Sequence, residues 1–177
     1  GAARWSSPAE ASTGVAGLLL CVRDDAAVEE VLFGANGAAS QLGIGSVVLD
    51  CSTIAPATAQ HCAERLARQN VHYMDAPVTG GTEGAQRGSL TVLLGGANEA
   101  LERVRPILEV IGGSIHHFGS VGRGQQVKAV NQVLVAGSYA AVAEAVALGQ
   151  RLELPMPQVI SALKNGAAGS WALDHRS

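Results

Sequence analysis

Two unbroken apolar runs of strand length, Gly17 to Val22 (GLLLCV) and Ser46 to Asp50 (SVVLD), constrain the fold more than any other feature. A strand with one face in water alternates apolar and polar residues. A run that is apolar throughout belongs to a sheet covered on both faces, as parallel sheets are. Parallel strands need crossovers, and helical stretches fill the intervals. Asp24 or Asp25 caps the first, Val28, Val31 and Leu32 give it helical spacing, and Gly34 ends it. Pro56 opens a second helix that runs to about Gln69, with Arg65 and Arg68 in its last turn, and His72 to Asp75 (HYMD) is the next strand. Leu90 to Leu94 (LTVLL) and Ser114 to Phe118 (SIHHF) read as further strands. The helix between them, from about Asn98 to Ile111, is kinked by Pro106 and ended by Gly112 and Gly113. This βαβα order predicts an α/β layer domain over residues 1–121.

From Gly124 the character changes. Gln125 to Leu152 holds no proline and is apolar around nearly its whole circumference, so it is expected to be a long central helix buried on all sides. It starts an all-helical region, 122–177, in which Pro155 and Pro157 introduce another helix from about Gln158 to Lys164. Only 3% of residues are aromatic and the net charge is -3. Base-stacking platforms and a basic field are both lacking, which argues against a nucleic-acid partner. No uninterrupted apolar run approaches the roughly 18 to 20 residues of a membrane span, and Gly1 to Glu10 has no leader pattern, so no membrane partner and a cytoplasmic location are expected. Cys21, Cys51 and Cys62 are odd in number and lack CxxC spacing, as suits reduced, buried, inert thiols. His116 and His117 are neighbours on a strand and face opposite ways, so no metal site is expected.

Lysine is the informative basic residue, because ten of the 12 basic residues are arginine and only Lys128 and Lys164 are lysine. Burial lowers a lysine pKa, which makes a lysine inside an apolar element a candidate acid or base. Lys128 lies in such an element, with Asn131 and Gln132 at i+3 and i+4 on the same helix face. The bland alternative has Lys128 snorkelling to water from the first turns, with Asn131 and Gln132 bonding neighbouring backbone. A second candidate is Asp75 to Gly81 (DAPVTGG), directly after a strand, where two glycines allow backbone N–H groups to approach a carboxylate. A tight turn needing positive φ explains it equally well. Asp50 to Pro56 (DCSTIAP) has the same placement and doubles as a helix cap. Gly122 to Val127 (GRGQQV) is a decoy for a dinucleotide turn: its third glycine is replaced by Val127, and Glu144 lies inside a continuing helix.

Together DCSTIAP, DAPVTGG and GRGQQVKAVNQ (Gly122 to Gln132) resemble, in order, three motifs of the β-hydroxyacid dehydrogenases, relatives of 6-phosphogluconate dehydrogenase. The family includes 3-hydroxyisobutyrate dehydrogenase and the tartronate, glyoxylate and succinic semialdehyde reductases. The resemblance implies an incomplete Rossmann-like doubly wound sheet followed by the start of an all-α domain. It makes Lys128 catalytic, with Asn131 and Gln132 as partners, and Thr79, Gly80 and Gly81 the carboxylate cradle, Thr79 standing where serine is commoner. Val22, Arg23 and Thr53 would belong to the cleft for NAD or NADP, and Gly166 to Trp171 (GAAGSW) to a loop over the substrate. It further implies a small carboxylate substrate and a homo-oligomer packed through the long helix. The family's opening GxGxxG unit and its last helices have no counterpart, so the chain is expected to be an internal fragment that binds dinucleotide poorly and is inactive alone. A noncatalytic interaction module that keeps only the packing helix is the rival reading.

Overall fold

The computed structural model describes residues 3–176, which fall into two compact units, 1–128 and 129–177. The first unit contains α1 (Pro8–Ala11), β1 (Gly17–Leu20), α2 (Asp25–Phe33), β2 (Val47–Asp50), α3 (Pro56–Ala67) and β3 (His72–Asp75). It continues with β4 (Val78–Thr79), α4 (Gly81–Arg87), β5 (Leu90–Leu94), α5 (Asn98–Ile111), β6 (Gly112–His117) and the first turns of α6 (Arg123–Arg151). β1, β2 and β3 form a parallel sheet in that order, and their register sets Leu20 beside Asp50 and Asp50 beside Asp75. All three strands therefore end at one edge. In the second sheet β4 runs antiparallel to β5, and β5 runs parallel to β6. One antiparallel bridge, Asp75 with Gly95, joins β3 to the residue that follows β5.

Two cores explain the apolar run of β2, whereas β1 departs from the expectation of burial on both faces, since Leu18 and Leu20 pack into one core and Leu19 is 44% exposed. Val48 packs with Leu20, Val28, Leu32 and Leu66, whereas its neighbours Val47 and Leu49 pack with Met74, Val92, Leu94, Val104 and Leu108. Each such side chain contributes roughly 1.5–3 kcal/mol when fully buried, so a polar residue on either face of β2 would be costly. Local signals hold at the helix ends. Asp24 accepts a hydrogen bond from the Ala27 N–H at 2.8 Å, and Pro56 stands in the first turn of α3.

Several expectations need correction. β6 begins at Gly112, two residues before the expected Ser114, because Gly112 takes an extended conformation that pairs with Leu90. Helix α5 itself has the expected bounds, with Pro106 inside it and Gly112 at its end. β4 and α4 were not anticipated, since two residues and seven glycine-rich residues carry no usable period. Cys51 and Cys62 are buried, and burial pushes both thiols up to about 12, but Cys21 lies one position past β1 and is exposed.

The second unit holds the rest of α6 with α7 (Met156–Leu163) and α8 (Trp171–Arg176). Here the expectation of a helix buried on all sides fails. Val133 is 73% exposed and Leu134 67%. The reason is a shortage of packing partners, since α7 and α8 are short and the close contact of Gly149 with Met156 covers only the far end of the helix. By length and composition alone α6 could cross a membrane, with a window of mean hydropathy 1.4. That corrects the scan for uninterrupted runs, which isolated residues such as Gln132 and Glu144 had broken up. The expected boundary at 121/122 also differs from the packing, because the first turn and a half of α6 is bound into the first unit by Gln125 and Lys128.

Candidate active site at the carboxyl edge of the parallel sheet

At the carboxyl ends of β2 and β3 stand two aspartates that an isolated sheet could not tolerate, both fully buried. Each is enclosed by donors. Asp50 accepts the Tyr73 hydroxyl at 2.7 Å and the Ser52 N–H at 2.8 Å. Asp75 accepts the Gly122 N–H at one carboxylate oxygen and the Gln125 N–H at the other, both at 2.8 Å. These amides open α6, so Asp75 caps a long helix at its positive end. Burial pushes the Asp75 carboxyl above the usual range, and the two amide bonds pull it back. Its main chain also makes both hydrogen bonds of the bridge to Gly95, at 3.0 and 2.8 Å.

The cap fixes the next turn of α6. Gln125 is 2% exposed, and its side-chain carbonyl accepts the Ile54 N–H at 3.2 Å while its amide donates to the Ser52 carbonyl at 2.8 Å. One turn on, Lys128 is 9% exposed, and its Nζ donates to the Val78 carbonyl at 2.8 Å. Burial lowers the Lys128 pKa, and no other cause contributes to that shift. The snorkelling alternative is therefore not what the structure has: the amine turns inward onto the DAPVTGG loop. Among the described residues no His, Cys, Asp or Glu cluster of three comes together to hold a metal.

Thr79 is half-buried, and Gly80 and Gly81 are exposed immediately beyond Val78. The left-handed φ values of 131° and 66° at those glycines turn the chain from β4 into α4. The tight-turn reading thus describes the backbone correctly, and it leaves the loop beside the lysine. Glu83 lies near Gly81 and accepts the Thr82 hydroxyl at 3.2 Å, so the loop's open polar side is Thr79 and Gly80.

Val22 is tied to Ser52, the residue before Thr53: the Ser52 hydroxyl accepts the Val22 N–H at 2.9 Å. Thr53 itself is exposed, between the two residues that Gln125 holds. Arg23 is exposed and pairs with Asp24 at 3.1 Å. Val22, Arg23, Ala26, Ala27, Glu30 and Val31 line an open groove of about 680 Å³ at the end of β1. A mainly apolar groove at the carboxyl edge of a parallel sheet, with Arg23 in its lining, lies where such sheets take ligands.

Asn131 and Gln132 lie in the second unit, where the Asn131 amide donates to the Gln132 carbonyl at 3.0 Å. The GAAGSW segment lies there too, its Ser170 hydroxyl accepting from the Leu173 N–H. Sequence reasoning did not single out Gln125, whose side chain joins α6 to the Ser52–Ile54 segment. The available signal was a polar residue three positions before Lys128, hence on the lysine's own helix face.

Residues 1–119 match the NAD-binding domain of 6-phosphogluconate dehydrogenase, and residues 122–177 match the NAD-binding family of NADP-dependent 3-hydroxyisobutyrate dehydrogenase. L-threonate dehydrogenase of Escherichia coli K12 is 39% identical over 160 residues, covering 90% of this chain and 53% of that protein. The crystal structure of 3-hydroxyisobutyrate dehydrogenase from Salmonella typhimurium superposes with a TM-score of 0.88 at 34% identity, over 96% of this chain and 59% of the other. A structure of Psf3 in complex with NADP+ and 2-OPP superposes with a TM-score of 0.91 at 27% identity, over 96% of this chain and 60% of the other. The chain spans about half the length of the curated relatives it matches. With both halves of its length matched, the chain belongs to the β-hydroxyacid dehydrogenase family, whose cofactor is NAD or NADP.

Proposed function

We propose that the protein carrying this chain moves a hydride between NAD or NADP and a small β-hydroxy acid or its semialdehyde, with Lys128 as the general acid and base. The observation that carries this reading is a buried lysine amine held by a neutral carbonyl beside an open Thr79–Gly80 loop. The nicotinamide, when bound, takes or supplies the hydride. In the oxidation direction the neutral Lys128 amine removes the hydroxyl proton as the carbinol becomes a carbonyl. In the reverse direction the ammonium returns that proton to the carbonyl oxygen. Thr79, Gly80 and Gly81 hold the substrate carboxylate, and the family resemblance assigns Asn131 and Gln132 to substrate binding as well. Val22, Arg23 and Thr53 line the cofactor side. The exposed apolar residues of α6, among them Val130, Val133 and Leu134, support packing against a second copy of the chain.

The direct test is an assay of the purified full-length protein for NAD(P)H oxidation with glyoxylate, succinic semialdehyde and tartronate semialdehyde. Turnover with none of them, and with no β-hydroxy acid in the oxidation direction, leaves the interaction-module reading in its place.

The pH dependence has a definite sign. Burial disfavours the ammonium, so the neutral amine appears at lower pH than the roughly 10.4 of a free lysine. Oxidation, which needs the neutral base, should gain kcat as pH rises through the lowered value, and reduction should lose it. A profile whose midpoint stays at or above that of free lysine contradicts the assignment.

Gly80→Val separates a substrate loop from a mere turn. The φ of 131° strains any β-branched residue, and the added Cβ meets the Leu90 side chain at 3.3 Å. The variant should raise KM for the acid about tenfold or more while KM for cofactor moves little. Equal changes in both constants, or in neither, indicate that the loop only turns the chain.

A further inference from the structure

The cofactor-side segment and the lysine are held by the same turn of α6, and the residue that does the holding has no part in the reading above. Gln125 spans Thr53: its carbonyl accepts from the Ile54 N–H after that residue, and its amide donates to the Ser52 carbonyl before it. Both polar atoms of the side chain are therefore committed to fixing the backbone on either side of one exposed threonine. Ser52 carries the constraint onward, because its hydroxyl accepts the Val22 N–H and its own N–H donates to Asp50. Gln125 is in turn fixed by its backbone N–H, which donates to Asp75. Three residues along the same face, Lys128 reaches Val78.

We infer that Gln125 is a positioning residue, which locks the Ser52–Thr53–Ile54 segment to the helical turn carrying Lys128 and so fixes the cofactor-side loop relative to the proton donor. The inference rests on the proposed assignment of Thr53 to the cofactor cleft and of Lys128 to proton transfer. An apolar residue could fill the volume of Gln125 but would leave the Ile54 N–H and the Ser52 carbonyl without partners. The loop would then relax away from the helix. A hydride donor and a proton donor must be aligned together, and misplacement on the order of 1 Å costs about 10²-fold in rate.

Two variants of the full-length protein test this. Gln125→Met keeps length and removes both hydrogen bonds. It should weaken NAD(P)H binding, followed by cofactor fluorescence, by about tenfold and slow single-turnover hydride transfer by about 10- to 100-fold. Substrate KM and the lysine midpoint of the pH profile should stay put. Gln125→Glu is the internal rescue, since a protonated carboxyl offers one acceptor and one donor, as the amide does, whereas the carboxylate offers none to the Ser52 carbonyl. Burial beside Asp50 and Asp75 should raise its pKa, so NAD(P)H affinity should recover as pH falls from about 8 to about 6. The inference is overturned if Gln125→Met lowers only the melting temperature and leaves cofactor affinity and hydride rate within about twofold. It is equally overturned if Gln125→Glu binds cofactor identically at both pH values, or if Gln125→Met does not fold and Gln125→Glu shows no recovery. Failure of the lysine assignment has a separate signature, namely near-normal turnover by a Lys128 variant while the Gln125 variants still lose cofactor affinity.

Discussion

Lys128→Ala in the full-length protein is expected to lower kcat by about 10²- to 10⁴-fold, the usual worth of positioned proton transfer. The affinity for NAD(P)H should change by less than about threefold, because the amine touches the Val78 carbonyl on the substrate-loop side. Lys128→Arg should lose nearly as much. A guanidinium keeps its proton at any working pH, and its planar fork does not fit a site built around one carbonyl acceptor. Steady-state kinetics in both directions, with cofactor titrations of each variant, provide the check. Near-normal turnover by Lys128→Arg would mean that the proton moves through another group. The loss should appear in kcat in both directions, since the same nitrogen gives the proton in one and takes it in the other.

Gly124→Ala is expected to give the largest loss of stability for one added carbon. A Cβ there would lie 2.2 Å from the Leu93 carbonyl oxygen and 2.8 Å from an Asp75 carboxylate oxygen. Both are anchored atoms, one in the peptide that follows β5 residue Leu93 and the other in the cap of α6. To make room, α6 must lift from the sheet, and that stretches the bonds from Gly122 and Gln125 to Asp75. Overpacking together with a weakened cap should cost about 3 kcal/mol, or roughly 6–12 °C in Tm for a chain of this size. Thermal unfolding of wild type and variant measures it. A shift within about 2 °C would show that the helix entry has slack that the close approach does not suggest.

The legible parts of the fold were those carried by local chemistry. The strand around Val48 was visible because burial on both faces leaves Val47, Val48 and Leu49 apolar in succession. Caps such as Asp24 and starters such as Pro56 acted at their own positions. Lys128 stood out because a basic residue in an apolar helix is costly without a purpose. Long-range polar pairing was illegible, because the partner of Asp75 lies 47 to 50 residues away and is main chain, which has no sequence signature. The same limit hid the hold of Gln125 on residues 71 and 73 positions earlier. The exposure of α6 was misjudged for a related reason: an apolar circumference records what a helix needs, and a sequence does not say which surfaces meet that need.

The shared cap at Asp75 bears on how such a protein could be dissected or recombined. The two family matches meet between residues 119 and 122, which invites a cut there to graft one sheet domain onto another helical partner. A cut at that point would strip the Asp75 carboxylate of the Gly122 and Gln125 amides and leave the Ser52 carbonyl and the Ile54 N–H without the Gln125 side chain. An unpaired buried carboxylate and two orphaned main-chain groups amount to several kcal/mol, enough to undo a marginal domain. A chimera that keeps the α6 residues through Lys128 with the sheet carries its own cap across the junction. The crossover point suited to shuffling these modules therefore lies about two helical turns downstream of the family boundary, inside a continuous helix, where no linker or loop marks it.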